Sequence, residues 1–236
     1  MLHRYRTRDE LAEALATGVA AVLAGGIATR GSATLAVSGG STPKLFFERL
    51  SMAEIDWGHV TVMLVDERWV PADSERSNTS LLRRHLLQGP AALARFEPFY
   101  EPADEPEDVL PEIEARFSGL PRPLDVAVLG MGNDGHTASF FPGGDRLGQA
   151  LDPQGHSTVI PMRAPGAGEP RITLTLPRLL EARFLALHIE GKAKIEALEK
   201  AEAPGPETQY PVRAVLRAPR AEPLQIFWAP LPSDES

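Results

Sequence analysis

The amino-acid sequence predicts a single α/β domain over residues 1–236, built on a mostly parallel sheet. Three observations carry that expectation. Short apolar runs of strand length alternate through the chain with segments of helical spacing, the pattern of β-α-β units. Glycine-rich turns follow two of these runs directly, at 38–43 and 130–135. No internal repeat or low-complexity block interrupts the alternation. With 43% hydrophobic and 24% charged residues, the chain has the composition of an ordinary globular protein and enough apolar material for a sizeable core.

The elements follow in order. Residues 9–23 place Leu11, Leu15, Val19 and Val22 at helical spacing, with Gly25 and Gly26 as the expected stop. A short strand over 34–37 enters Ser38-Gly39-Gly40-Ser41-Thr42-Pro43. There Thr42 suits an N-cap and Pro43 a first helical position, with Leu45, Phe46 and Leu50 as the inner face. A central strand over 60–65 ends in Asp66-Glu67-Arg68-Trp69, which puts three charges at a strand's carboxyl end. A loop (71–78), a helix (79–87), an acidic, proline-broken surface connection (98–106) and a short amphipathic helix (107–117) come next.

The run 124–129 reads as a buried strand, after which Gly130, Gly132 and Gly135 allow a sharp turn close to a ligand. His136 and Thr137 follow, with Ala138 and Ser139 expected to open a helix. Strands are expected at 157–161, 171–175, 184–189 and 224–228, and helices at 192–201 and 212–216. A turn is expected at 177–180 and a linker at 204–206. The Gly/Pro-rich stretch 164–170 reads as a mobile lid or as an exposed connection.

A net charge of −8 argues against a general nucleic-acid or anionic-membrane binder, because no basic field attracts a polyanion. It leaves room for a small anion, which needs only a few local cations. The chain has no cysteine, so thiolate metal sites and disulfides are excluded, in keeping with a reducing cytosol. The N-terminus turns polar and helical at once and no membrane-spanning run is evident, so a cytoplasmic chain without a membrane partner is expected.

In open α/β sheets ligands bind at the carboxyl ends of the strands. The turn 38–43, read as leading into a helix, serves equally as a tight capped turn or as a phosphate cradle of free N–H groups. The turn 130–135 matches G-x-G-x-x-G, but it lies mid-chain and the acid nearest the expected offset, Asp152, precedes the next strand. A histidine directly after the last glycine points to chemistry rather than to pyrophosphate packing. Asn133 and Asp134 stand beside His136 and are able to orient its ring. No spacing suits a metal, and no G-x-S-x-G elbow supports a serine nucleophile. An imidazole acting as general base on water requires neither. Arg68, Arg171 and Lys194 lie beside strand ends or a helix start and are the cations to aim at a ligand.

These pieces together resemble the 6-phosphogluconolactonases, within the group that includes glucosamine-6-phosphate deaminases. The matching stretches are SGGSTP (38–43), VDERWVP (65–71) with Ser77-Asn78, LGMGNDGHTASFFPG (129–143), RITLTLP (171–177) and GKAKIEAL (191–198). They come in the family's order and span nearly the whole chain. The resemblance implies a Rossmann-like three-layer fold with helices on both faces of the sheet, related to that of ribose-5-phosphate isomerase and coenzyme A transferases. It implies hydrolysis of 6-phospho-D-glucono-1,5-lactone in the oxidative pentose phosphate pathway, with no cofactor and no metal.

Carried over by position, the resemblance makes His136 the general base and Asp134 its helper. Arg68, Arg171 and Lys194 become phosphate ligands, with Lys192 as an alternative to Lys194. Gly39, Gly40, Ser41 and Thr42 form the turn of backbone donors. From their places beside these residues, Asn133 is expected on the substrate side and Asp66 among the catalytic residues, in contact with sugar hydroxyls. The expected partner is a small sugar phosphate, bound by a monomer or homodimer. The deaminases typically read DEY and GHIAFNEP, whereas this chain reads Asp66-Glu67-Arg68 and GHTASFFP, with Phe141 in place of a carboxylate. A non-catalytic sugar-phosphate sensor would be expected to carry a DNA-binding module or to have lost the histidine.

Overall fold

The computed structural model describes residues 1–235. Seven strands form the central sheet: β1 (Leu2–Arg4), β2 (Ala33–Val37), β3 (Val60–Leu64), β5 (Arg95–Glu97), β6 (Val126–Leu129), β9 (Phe184–Glu190) and β10 (Gln225–Ala229). Their spatial order is β1-β10-β9-β6-β2-β3-β5, and every neighbouring pair is parallel. A second, three-stranded antiparallel sheet joins β4 (Asp66–Arg68), β8 (Arg171–Leu174) and β7 (Val159–Met162) in the order β4-β8-β7. The α/β reading therefore holds, with the antiparallel component set apart in its own small sheet.

The central strands are apolar on both sides, as parallel strands covered by helices require. β2 and β6 are buried at every position. Helix α1 (Arg8–Arg30) starts at Thr7, whose side chain accepts from the Glu10 N–H at 3.1 Å, and packs against β2, β6, β9 and β10. Gly25 and Gly26 do not stop it. Gly31, at φ 79°, ends it instead, and Gly26 lets the helix approach the sheet, since a Cβ there would lie 3.1 Å from the Ala33 Cβ. Contrary to expectation, α1 has the length and apolar character of a membrane-crossing helix, yet Leu11, Leu15, Val19 and Leu23 are buried in the core.

Further departures bear on the site. Helix α2 (Lys44–Ser51) has Pro43 rather than Thr42 at its N-cap, without a side-chain cap. The charges after β3 do not simply trail off a strand end; they form β4, paired with β8. Residues 78–85 form helix α3 (Asn78–His85), and residues 110–118 form α4 (Leu110–Ser118). No helix opens at Ala138: Ala138 has φ 51°, and the Phe140 N–H returns to the Thr137 carbonyl at 2.9 Å. Phe140 and Phe141 are both buried, and Pro142 disfavours a helical Phe141, so the chain folds inward before α5 (Leu147–Leu151). The predicted turn at 177–180 is helix α6 (Leu176–Leu180). Helices α7 (Lys192–Glu202) and α8 (Val212–Arg217) complete the α-helices among the described residues.

Candidate active site at the strand ends

β2, β6 and β9 lie side by side, and their carboxyl ends open into one pocket. Lining it are the turn residues Gly39, Gly40, Ser41 and Thr42, the cations Arg68, Arg171 and Lys194, and Asp66 and His136. The pairing of β4 with β8 explains how distant arginines meet. In that ladder Arg68 stands directly opposite Arg171, and Asp66 opposite Thr173.

His136 sits on a turn closed by two backbone bonds, Gly132 N–H to the His136 carbonyl at 2.8 Å and Gly135 N–H to the Gly132 carbonyl at 3.0 Å. A Cβ on Gly132 would lie 2.2 Å from His136 Nδ1, and one on Gly135 would lie 2.3 Å from the Tyr210 ring, so both positions require glycine. Asp134 Oδ1 lies 2.6 Å from His136 Nδ1 and also accepts from the His136 backbone N–H at 3.2 Å. The hydrogen bond to His136 holds the Asp134 carboxyl down at about 2, so this carboxylate is ionised at any ordinary assay pH. An acceptor-only partner places the ring proton on Nδ1 and leaves Nε2 as the basic face. The Phe141 ring, with its centroid 4.4 Å from that of His136, fixes the imidazole from the other side.

Arg171 is 7% exposed, and its Nη2 donates to the Ala167 carbonyl at 2.6 Å. Burial pulls its pKa down, while Asp66, 4.0 Å away, pulls it back up. The guanidinium also lies over Phe141, 5.4 Å from the ring centroid. Burial likewise lowers the pKa of Lys194, partly countered by Asp134. Arg171 and Lys194 are thus held where an anion would relieve their desolvation. Asp66 is itself buried and accepts from Ser139 Oγ at 2.7 Å, which leaves less of it for a sugar hydroxyl than the sequence suggested.

The structure separates the two lysines. Lys194 lines the pocket, whereas Lys192 is 73% exposed beside Glu196. Asn133 is exposed and lies outside the pocket lining, so of the two residues expected to orient the ring only Asp134 is placed to do so. The stretch 164–170 is tied down at several points. Trp69 N–H donates to the Pro170 carbonyl at 2.7 Å, Arg171 holds Ala167, and Arg76 Nη2 donates to Glu169 Oε2 at 2.8 Å.

Three residues escaped the sequence reading as parts of the site. Asn78 lines the pocket and donates through Nδ2 to the Asp66 carbonyl at 2.9 Å, against a Gly39 where any Cβ would collide with it. Glu67 is 0% exposed and accepts from the N–H groups of Arg68, Asn78 and Thr79, each at 2.8 Å, and from Ser77 Oγ at 3.0 Å. Burial raises its pKa against those bonds. The Ser77-Asn78 pair was a visible signal for both. His188, which lines the pocket from β9, had none beyond its place in an apolar strand.

Asp134→Asn tests the orienting bond. An amide turned toward Nδ1 no longer fixes the productive tautomer, so kcat/KM is expected to fall on the order of 10–100-fold, with a much smaller change in KM. Steady-state kinetics on the purified variant checks this, and an unchanged kcat would remove Asp134 from the machinery. The low pKa also means that no limb of the activity profile above pH 4 belongs to Asp134.

The turn 130–135 is followed by His136 and a tight reversal rather than a helix N-terminus, so it lacks the phosphate seat of a dinucleotide-binding turn. Among the described residues no three His, Asp or Glu side chains are grouped to hold a metal ion.

Comparison with known proteins identifies the family. Residues 6–228 match the family described as glucosamine-6-phosphate isomerases/6-phosphogluconolactonase. A 6-phosphogluconolactonase of Rhizobium meliloti (strain 1021) is 56% identical over 229 residues, covering 97% of this chain and 98% of its own. One from Pseudomonas aeruginosa is 46% identical over 94% of this chain and 91% of its own. The crystal structure of a 6-phosphogluconolactonase from Shewanella baltica OS155 superposes with a TM-score of 0.93, at 39% identity and 97% coverage of both chains. A monomeric glucosamine-6-phosphate deaminase shares the fold, with a TM-score of 0.75 at 18% identity over 97% of this chain and 96% of its own. In sequence and in architecture, this chain belongs to the glucosamine-6-phosphate isomerase/6-phosphogluconolactonase family.

Proposed function

We propose that the protein hydrolyses 6-phospho-D-glucono-1,5-lactone to 6-phospho-D-gluconate, with His136 as general base. The observation that carries this reading is the imidazole with its Nε2 side free, in a pocket shared with Arg68, Arg171 and Lys194. The phosphate lies against these three cations and the Gly39–Thr42 turn, which fixes the sugar. His136 takes a proton from water as the oxygen attacks C1, while ionised Asp134 steadies the imidazolium. Preorganised N–H groups of the glycine turns stabilise the oxyanion. The tetrahedral intermediate then collapses with cleavage of the C1–O5 bond, and the imidazolium returns its proton to O5.

Phe141 sets this reaction apart from deamination. It is buried between His136 and Arg171, where the deaminases carry an acid, and it offers no proton. The chain acts as a single catalytic domain on a small molecule in the cytoplasm, as a monomer or homodimer, without nucleic acid or membrane; the net charge of −8 supports this reading.

The test generates the phosphorylated lactone in place at slightly acidic pH, where spontaneous opening is slow, and follows 6-phosphogluconate. Acceleration well above background is expected. Ammonia release from glucosamine 6-phosphate in its place would move the chain to the deaminase branch. Lys194→Met is expected to raise KM by roughly 10–100-fold through loss of a charged hydrogen bond, and Lys192→Met to leave it unchanged. The reverse pattern would reassign the phosphate ligand.

A further inference from the structure

Three buried polar atoms of residues lining the pocket have no partner within the protein: Arg68 Nε, on a cation already assigned to the phosphate, and Ser38 Oγ and His188 Nδ1. Ser38 follows β2, and His188, 3% exposed, lies near the end of β9. Buried polar atoms normally find partners, and a ring nitrogen without one is costly unless a ligand meets it.

The ring is not free to turn away. Its Nε2 lies 3.1 Å from Glu190 Oε1, the other oxygen of Glu190 is held by Arg8 Nε at 2.5 Å, and Phe46 stands edge-on with its centroid 6.1 Å away. Salt-bridged Glu190 serves as an acceptor, so Nε2 carries the ring proton and Nδ1 keeps a bare lone pair. A phosphate dianion or a carboxylate offers only acceptors and cannot satisfy that lone pair. A sugar hydroxyl can, by donating to Nδ1, and the Ser38 hydroxyl in the same pocket offers a further hydrogen bond to the sugar.

The topology places His188 between the two ends of the substrate, with Ser38 across β6 at the end of β2. β9 adjoins β6, whose turn carries His136, and β9 runs on through Gly191 into α7, which carries Lys194. The carbon chain between the lactone carbonyl and the phosphate has to cross this part of the pocket. Resting on the hydrolase reading above, we infer that His188 Nδ1 is a recognition station for a hydroxyl of the sugar phosphate, with Ser38 Oγ serving the same sugar from across β6. His188 binds substrate there and takes no part in proton transfer.

Two substitutions separate the ring's two nitrogens. His188→Gln keeps an amide near Nε2 to meet Glu190 and removes the Nδ1 acceptor. His188→Asn keeps a polar atom near Nδ1 and gives up Glu190. The glutamine variant is expected to show KM raised about 10-fold with kcat within about twofold of wild type, and the asparagine variant to recover most of the loss. An unchanged KM in the glutamine variant, or equal losses in both, would overturn the assignment.

Wild-type protein labelled with 15N-histidine gives a readout independent of how the variants fold. On titration with 6-phosphogluconate, His188 Nδ1 is expected to stay unprotonated and to shift as it accepts a hydrogen bond. A second ring proton would overturn the assignment by making His188 a phosphate donor, and so would an unmoved resonance. Wild-type protein without lactonase activity would refute the hydrolase reading itself. An active wild type whose activity is indifferent to His188→Gln refutes only the hydroxyl station.

Discussion

His136→Gln is expected to lower kcat/KM by roughly 10²–10⁴-fold, the usual contribution of a general base. Glutamine places an amide near Nε2 but cannot take a proton from water, so the loss falls on kcat. The fold should tolerate the change, because the His136 side chain is 32% exposed and its main-chain bonds, not its ring, close the turn. Binding of 6-phosphogluconate is expected to persist, since the three cations are untouched. The coupled lactonase assay and a calorimetric titration on the same preparation check both halves. Near-wild-type turnover would sink the assignment of the base. Loss of product binding along with turnover would show that the variant had disturbed the pocket rather than the chemistry.

Glu67→Leu should produce the largest loss of stability. The leucine has similar bulk, but it strands the N–H groups of Arg68, Asn78 and Thr79 and the Ser77 hydroxyl in a buried place. Each unsatisfied donor costs about 1–3 kcal/mol, offset in part because no carboxylate has to be desolvated. A net loss of about 3 kcal/mol follows, roughly 6–12 °C in Tm for a chain of this size. Burial raises the Glu67 pKa in the folded protein, so folding takes up a proton as pH falls toward the ordinary glutamate range. Wild type therefore gains stability from this group on acidification, Glu67→Leu does not, and the gap between them widens. Thermal melts at neutral pH and near pH 5 check size and direction, and equal Tm values would refute the role. Activity is expected to drop as well, because Asn78 and Arg68 are both hung on this carboxylate.

What could be read from the sequence were features written in neighbouring residues. The run before Gly130 and the glycine spacing after it announced a strand and a tight turn. His136 and Asp134, two residues apart, fell into contact as that spacing implied. Other features depend on residues far apart. Asp66-Glu67-Arg68 reads as a charged strand end until β8, about a hundred residues later, pairs with it. β1 has three residues and no apolar run, so only β10 makes it a strand. The two lysines needed the helix phase: a separation of two positions turns them by about 200°, so one faces the pocket and the other solvent. Gly25 and Gly26 misled because a glycine that ends a helix and one that brings it close to a sheet look alike in sequence.

The parallel pairing of β1 with β10 has a consequence for how the chain assembles as it leaves the ribosome. β1 has its ladder partner in Gln225–Ala229, and among the described residues that partner pairs on its other side with β9. Residues 33–129 carry β2, β3, β5 and β6, a contiguous half-sheet that can zip up from nearby segments during synthesis. β1 has to wait, tethered to α1, until β9 and then β10 emerge. The earliest strand in the chain is the last to be paired.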